Sequence, residues 1–403
     1  MYRSQPIEQK GAREWFCGDK ALWLVFILLT AISLVAVYSS IGRSAIEDDG
    51  VTPMRAFFKH FVFVVLTYVL VFVVSRSDYR IFSRISQILL YFSGALLAFL
   101  LVTHGQRWVV LPVIGRFQPS ELAKVSLVIY VARLLSFKEE QIGTLETFLR
   151  VLLPIGVVSL LVFKENFSTA ALIFISCYVT MLFGGVNKRY WWRLLLVGVV
   201  LVGVYLTVNY KRYERSMTEG QAATEQLVAR ESTWGHRVYS WINPNPDQLT
   251  QENMARMAIA RGRVFGVGIG NTVFARLMTQ ANNDFIYAII IEETGMFGGL
   301  AILFLYSIFF FRCVKVAFRC QKPFGTLIAM GVGTVIYLQA LVNMCVAVGV
   351  LPVTGQTLPF ISSGGTAYLA LGLGVGVVQA VADASQKQKE VTEHDIVKEE
   401  VTS

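Results

Sequence analysis

Ten long apolar blocks dominate this 403-residue chain, near residues 21–41, 57–75, 86–103, 121–136, 151–164, 168–186, 194–210, 284–311, 324–348 and 366–383. Blocks of about 15–25 residues are long enough to cross roughly 30 Å of hydrocarbon as helices. In that layer only helices and closed barrels satisfy every backbone N–H and C=O. The pattern therefore predicts an all-α integral membrane protein with about ten transmembrane helices. Composition agrees: 55% of the residues are hydrophobic and only 16% charged, against about 25% charged in soluble domains.

Lys and Arg in the short loops set the orientation. Arg3, Lys10, Arg13 and Lys20 precede the first block. Arg76, Arg80 and Arg84, then Lys188, Arg189 and Arg193, then Arg312, Lys315, Arg319 and Lys322 follow in alternate loops. All fall on one side if both termini are cytoplasmic. The expected plan is a cytoplasmic tail (1–20), a polytopic domain (21–383) with a large external loop (211–283) between spans 7 and 8, and a short, mobile cytoplasmic tail (384–403). No small-residue cleavage site follows the first block, which is expected to stay as an anchor. The net charge of +9 fits lipid-side anchoring. Nucleic-acid binding is not expected, because no basic run with interleaved aromatics lies in a soluble segment. Cys17, Cys177, Cys313, Cys320 and Cys345 are scattered, which suggests neither a disulfide framework nor a metal site.

Three polar segments interrupt the apolar background. In 105–124, Pro119 stops any preceding helix and a new one starts at Ser120-Glu121, with Ser120 available as a cap. Glu121 and Lys124, three apart, share a face of it. They form either a local ion pair or, with Arg107 and Arg116, a cationic pocket. In 211–283 the Ala/Met pattern at 254–260 predicts a short interfacial helix. Gly262, Gly266, Gly268 and Gly270 lack the strand and the Lys-Ser/Thr of a phosphate loop, so a hairpin turn is expected there. In 349–367, two prolines, several glycines, Ser362 and Ser363 put irregular backbone at membrane depth, which survives only when packed in protein or facing a cavity.

Asp284 stands at the head of the eighth block, after two asparagines, with Arg237, Arg261, Arg263 and Arg276 in the same loop. It is either a helix N-terminal residue stabilised by the dipole or an acid–base group at a cavity mouth. Glu292 and Glu293 lie about 12 Å further along at ~1.5 Å per residue. They are expected to serve as structural partners of buried cations or backbone groups.

QPSELAK (118–124), DFIYAIIIEETG (284–295) and LPVTGQTLPFISSGG (351–365), in this order, resemble the SEDS family of bacterial cell-wall proteins, the FtsW/RodA-type peptidoglycan glycosyltransferases. The resemblance runs from about Leu22 to Ala382, and its last motif is closer to the division (FtsW) branch than to the elongation (RodA) branch. It implies polymerisation of lipid II in the bacterial inner membrane, at the division septum. Asp284 would be the catalytic general base and polyprenyl pyrophosphate the leaving group. Arg116, Glu121 and Lys124 match family motif positions. Together with Arg107, Arg237 and Arg261 they are the candidates to hold the pyrophosphate. Gly262, Gly266, Gly268, Gly270, Ser362, Ser363, Gly364 and Gly365 are expected to line the cavity. A divalent cation, magnesium or manganese, has room in such a mechanism, although no ligand cluster is visible. A class B penicillin-binding protein and other division proteins are the implied partners. The chain departs from the family pattern at LMTQANND, at ENFST and at Gly262-Arg263, where a paired glycine is usual. A lipid II flippase, an elongation-type polymerase and a non-catalytic scaffold remain the alternatives.

Overall fold

The computed structural model describes residues 17–40, 53–102, 108–111, 115–137, 144–163, 166–218, 233–244, 250–278 and 283–402. Its long helices are α1 (Lys20–Ser40), α2 (Pro53–Ser75), α3 (Ile81–Val102), α4 (Pro119–Ser136), α5 (Leu145–Phe163), α6 (Phe167–Phe183), α7 (Lys188–Thr218), α10 (Ile286–Arg319), α11 (Pro323–Ala347) and α12 (Gly365–Thr402). Two short ones, α8 (Thr233–Ile242) and α9 (Gln251–Gly262), lie between α7 and α10. Each expected apolar block overlaps one long helix. Eight of these helices are long and apolar enough to cross a membrane. Of the other two, α6 has 17 residues and α4 carries Glu121, Lys124 and Arg133. The fold is that of a multi-span, helical membrane protein.

A single small hairpin departs from this helical plan among the described residues. Strands β1 (Val109–Leu111) and β2 (Gly115–Phe117) pair antiparallel, with Val110 opposite Arg116. The hairpin delivers the chain to Gln118, the N-cap of α4, with Pro119 as the first helical residue. Proline suits that position because the first helical N–H has no partner inside the helix. Ser120 lies inside the first turn and not at the cap where the sequence placed it; its hydroxyl accepts from Gln118 Nε2 at 3.1 Å.

Helices α11 and α12 are the most enclosed spans. Small residues allow this, since packing within a bilayer depends on close backbone approach rather than on apolar character. Gly372 and Gly376, one turn apart on α12, face α2: a Cβ there would come within 2.4 Å of Thr67 and 2.7 Å of Val74. By contrast, none of the residues in the most apolar 18-residue stretch of α7 is buried. Helix α12 also continues through 384–402, where a short mobile tail was expected. A Lys387–Asp383 pair one turn apart supports that extension.

At the opposite end of α10 from Asp284, one carboxylate ties three elements together. Asp19 Oδ1 caps α1 by accepting from Ala21 N and Leu22 N, both at 3.0 Å. The same carboxylate pairs with both arms of Arg312 of α10. The Gln379 side chain of α12 completes the set by accepting from Asp19 N at 2.8 Å and donating to Asp19 O at 3.2 Å.

Candidate active site

Asp284 lies two residues before α10, and its main chain is held from two sides. Asn343 Nδ2 of α11 donates to Asp284 O at 2.9 Å and to Gln356 O at 2.7 Å. Ser362 Oγ donates to Asn283 O at 2.6 Å, and Ser363 Oγ to Asn283 Oδ1 at 2.7 Å. The irregular 349–364 segment thus exchanges its own helical bonds for bonds to the chain around Asp284. This is how non-helical backbone is satisfied at membrane depth.

Asp284 lines a cavity of about 610 Å³. The wall gathers Lys59 and His60 of α2, Trp108 and Gln118, Asn166 at the start of α6, Arg237 of α8 and Gln251 of α9. Asn283, Thr357 and Thr366 complete its polar lining, with Ser363, Gly364 and Gly365 alongside. All three polar segments of the sequence therefore converge on one space. Arg237 is steadied there by donating to Val353 O at 3.1 Å and by lying over the Trp234 ring at 5.6 Å.

The expected cations separate into three places. Lys124 is wholly buried and faces the bundle: its ammonium donates to Glu121 Oε1 and Oε2 at 3.0 and 2.9 Å and to Gln339 Oε1 at 2.6 Å. Three donors meet three acceptors, and neither Lys124 nor Glu121 is among the residues lining the cavity. Arg261 is also absent from that lining. Its guanidinium binds Glu292 Oε1 at 2.5 Å and Asn271 O at 3.1 Å. Arg107 and the side chain of Arg116 lie outside the described residues. Arg237 alone of the described candidates reaches the cavity, where Lys59 joins it. The sequence signal for Lys59 was available: a cation inside FFKHFVFVVL is costly in an apolar span and calls for a reason.

The four loop glycines and Ser362 do not line the cavity either, and no strand hairpin forms at Gly262–Gly270. The glycines meet α10 where that helix breaks at Gly295, with φ 73°. There Val267 N and Gly268 N donate to Glu292 O and Glu293 O at 2.9 Å, and Met296 N returns a bond to Arg263 O at 3.0 Å. A Cβ on Gly262 would lie 2.1 Å from Ile291 O, and one on Gly266 2.1 Å from Glu293 O. Arg263 stands at positive φ, 48°, a backbone region that glycine enters more readily than arginine.

Glu292 and Glu293 close this junction. Besides Arg261, Glu292 accepts from Thr272 Oγ1 at 2.5 Å and from Val273 N at 3.0 Å. Glu293 accepts from Gly270 N at 3.0 Å and from the Ser39 hydroxyl of α1. The two carboxylates fasten the 251–277 segment to the helix that follows Asp284.

For a divalent cation the donor set is thin. Among the described residues no three His, Cys, Asp or Glu side chains come together, and Asp284 is the one carboxylate on the described cavity wall. The described donors do not fit a divalent cation.

A many-span membrane protein with a polar cavity walled by irregular backbone is the class that fold and site define. Within that class the chain belongs to the FtsW/RodA/SpoVE family of cell cycle proteins, whose profile matches residues 19–387. It is 30% identical over 389 residues to the probable peptidoglycan glycosyltransferase FtsW of Halomonas elongata, covering 93% of this chain and 92% of that one. With stage V sporulation protein E of Bacillus subtilis it shares 28% identity, covering 91% and 98% of the two chains. Among solved structures, it resembles a chain of a peptidoglycan synthase complex that coordinates polymerisation and crosslinking. That match has TM-score 0.67 and 23% identity, over 92% of this chain and 99% of that one. The rod shape determining protein RodA of Thermus thermophilus matches at TM-score 0.63 and 23% identity, over 91% and 97%. These two likenesses are in fold.

Proposed function

We propose that this chain is a peptidoglycan glycosyltransferase that polymerises lipid II in the bacterial inner membrane during septal wall synthesis. The observation that carries this reading is the cavity in which Asp284 shares a wall with Lys59 and Arg237. A carboxylate and two cations in one partly desolvated space suit displacement of a pyrophosphate by a hydroxyl. Asp284 takes the proton of the attacking sugar 4-hydroxyl as that oxygen bonds to the donor's anomeric carbon, a role worth typically 10²–10⁴-fold. Lys59 and Arg237 stabilise the charge that develops on the departing polyprenyl pyrophosphate. The pinned main chain at 283–284 supplies the fixed position such a base needs.

Relatives named as probable peptidoglycan glycosyltransferases support the activity, and the family's description as cell cycle proteins supports the division role. The fold likeness to a synthase-complex chain supports a crosslinking partner, which we take to be a class B penicillin-binding protein acting with other division proteins. In this reading both termini are cytoplasmic and the cavity opens outward. Purified protein with its partner, crosslinking blocked, is expected to convert lipid II into long glycan on a gel. Asp284→Ala and Asp284→Asn should lower that product by at least about 100-fold. Equal product from all three proteins removes Asp284 from the chemistry.

A further inference from the structure

Asn166 joins α5 to α6, and all but one of its polar atoms are engaged in that joint. Its backbone N–H donates to Val162 O of α5 at 2.9 Å, and its carbonyl accepts from Ala170 N of α6 at 3.1 Å. Its side chain caps α6, with Oδ1 accepting from Ser168 N at 3.0 Å. A backbone N–H only donates, so this bond fixes which way round the amide sits and leaves Nδ2 as the remaining polar atom. Among the described residues Nδ2 has no hydrogen-bond partner, and it is not one of the side-chain atoms that are both unpartnered and sealed from the surface. The residue is 5% exposed and lines the Asp284 cavity. An oriented amide donor therefore meets that space.

Capping does not account for the amide. Aspartate caps as well as asparagine and suits the positive end of a helix better, so what asparagine adds is Nδ2. This end of α6 is also tied to the chain around Asp284. Thr169 Oγ1 accepts from Gln356 Nε2 at 2.7 Å, and Gln356 O shares Asn343 Nδ2 with Asp284 O. We propose that Asn166 Nδ2 is a phosphate-binding donor, holding an oxygen of the substrate's pyrophosphate at the start of α6. A helix N-terminus favours an anion, and Lys59 and Arg237 stand on the same cavity wall. The assignment rests on the glycosyltransferase reading above. Asn166 fixes the place of the pyrophosphate while the two cations balance its charge. A carboxylate at this position would instead face both the pyrophosphate and Asp284 with like charge.

Two replacements keep the cap and remove the donor. Serine caps as asparagine does but ends short of the Nδ2 position, and aspartate caps while putting a carboxylate oxygen there. Binding without turnover is measured for lipid II and for polyprenyl pyrophosphate, which lacks the sugars. Initial polymerisation rates are taken beside it, for the whole protein with its partner. Asn166→Ser is expected to keep the wild-type melting temperature and to weaken binding of both ligands about tenfold or more, the loss of a bond to a charged oxygen. Asn166→Asp is expected to melt like wild type and to bind both more weakly still. Wild-type affinity in Asn166→Ser overturns the proposal, and so does unchanged or tighter binding in Asn166→Asp. A loss confined to lipid II overturns it as well, by putting the amide on a sugar, and so does wild type that does not bind polyprenyl pyrophosphate. Wild type that binds polyprenyl pyrophosphate yet makes no glycan would count against the transferase reading alone.

Discussion

Lys124 illustrates how a charge is kept inside this bundle. Its ammonium has no contact with solvent, and all three of its N–H bonds end on Glu121 and Gln339. Removing one member of a buried pair strands the other, at a cost of about 3–5 kcal/mol. Lys124→Met should therefore lower thermal stability in detergent sharply. Glu121→Gln combined with Lys124→Met should recover most of the loss. A single variant as stable as wild type would mean that Lys124 serves a ligand rather than the packing. The i,i+3 spacing in QPSELAK made the pair legible. Its burial was not, because that depends on Gln339, 215 residues further along the chain.

At the scale of elements, the decisive joint is between the glycine loop and the break in α10. Gly266 has φ 79°, and a Cβ there would press against the Glu293 carbonyl. Gly266→Ala is expected to undock residues 263–273 from the helix, at a cost of about 1–3 kcal/mol. Faster amide hydrogen exchange at Val267 and Gly268 would report it, and unchanged protection there would show that the joint tolerates a side chain. The sequence announced the glycines but not their partner. A run of glycines with positive φ looks the same whether it turns a hairpin or docks on a helix, and the break at Gly295 lies inside an apolar block that reads as unbroken. Apolar length, in contrast, was sufficient to find the ten long helices, and Pro119 to start α4. Lys59 escaped notice because one cation barely disturbs the hydropathy of α2, and His60 looked like one of four dispersed histidines. Asp284 stood out as a carboxylate at the head of an apolar block, but the residues alone left a helix-dipole role equally open, and the family resemblance supplied the catalytic expectation.

Across the whole molecule, burial is uneven. Ile336 at the middle of α11 is fully enclosed, whereas Leu196 of α7 is 69% exposed. Lipid replaces protein around α7, so Leu196→Ala should change stability by no more than about 0.5 kcal/mol. Ile336→Ala should cost about 2 kcal/mol or more through the cavity it leaves. Equal melting temperatures for the two variants would contradict this arrangement. The link from Asp19 to Arg312 and Gln379 adds a constraint in time. Residue 19 is made first, and its partners follow 293 and 360 positions later. At about 5–20 residues per second, synthesis leaves that carboxylate waiting tens of seconds. Helix α1 thus completes its hydrogen bonds long after it is made, and a chain that stops short of Gln379 leaves Asp19 incompletely bonded, a mark by which quality control can recognise it.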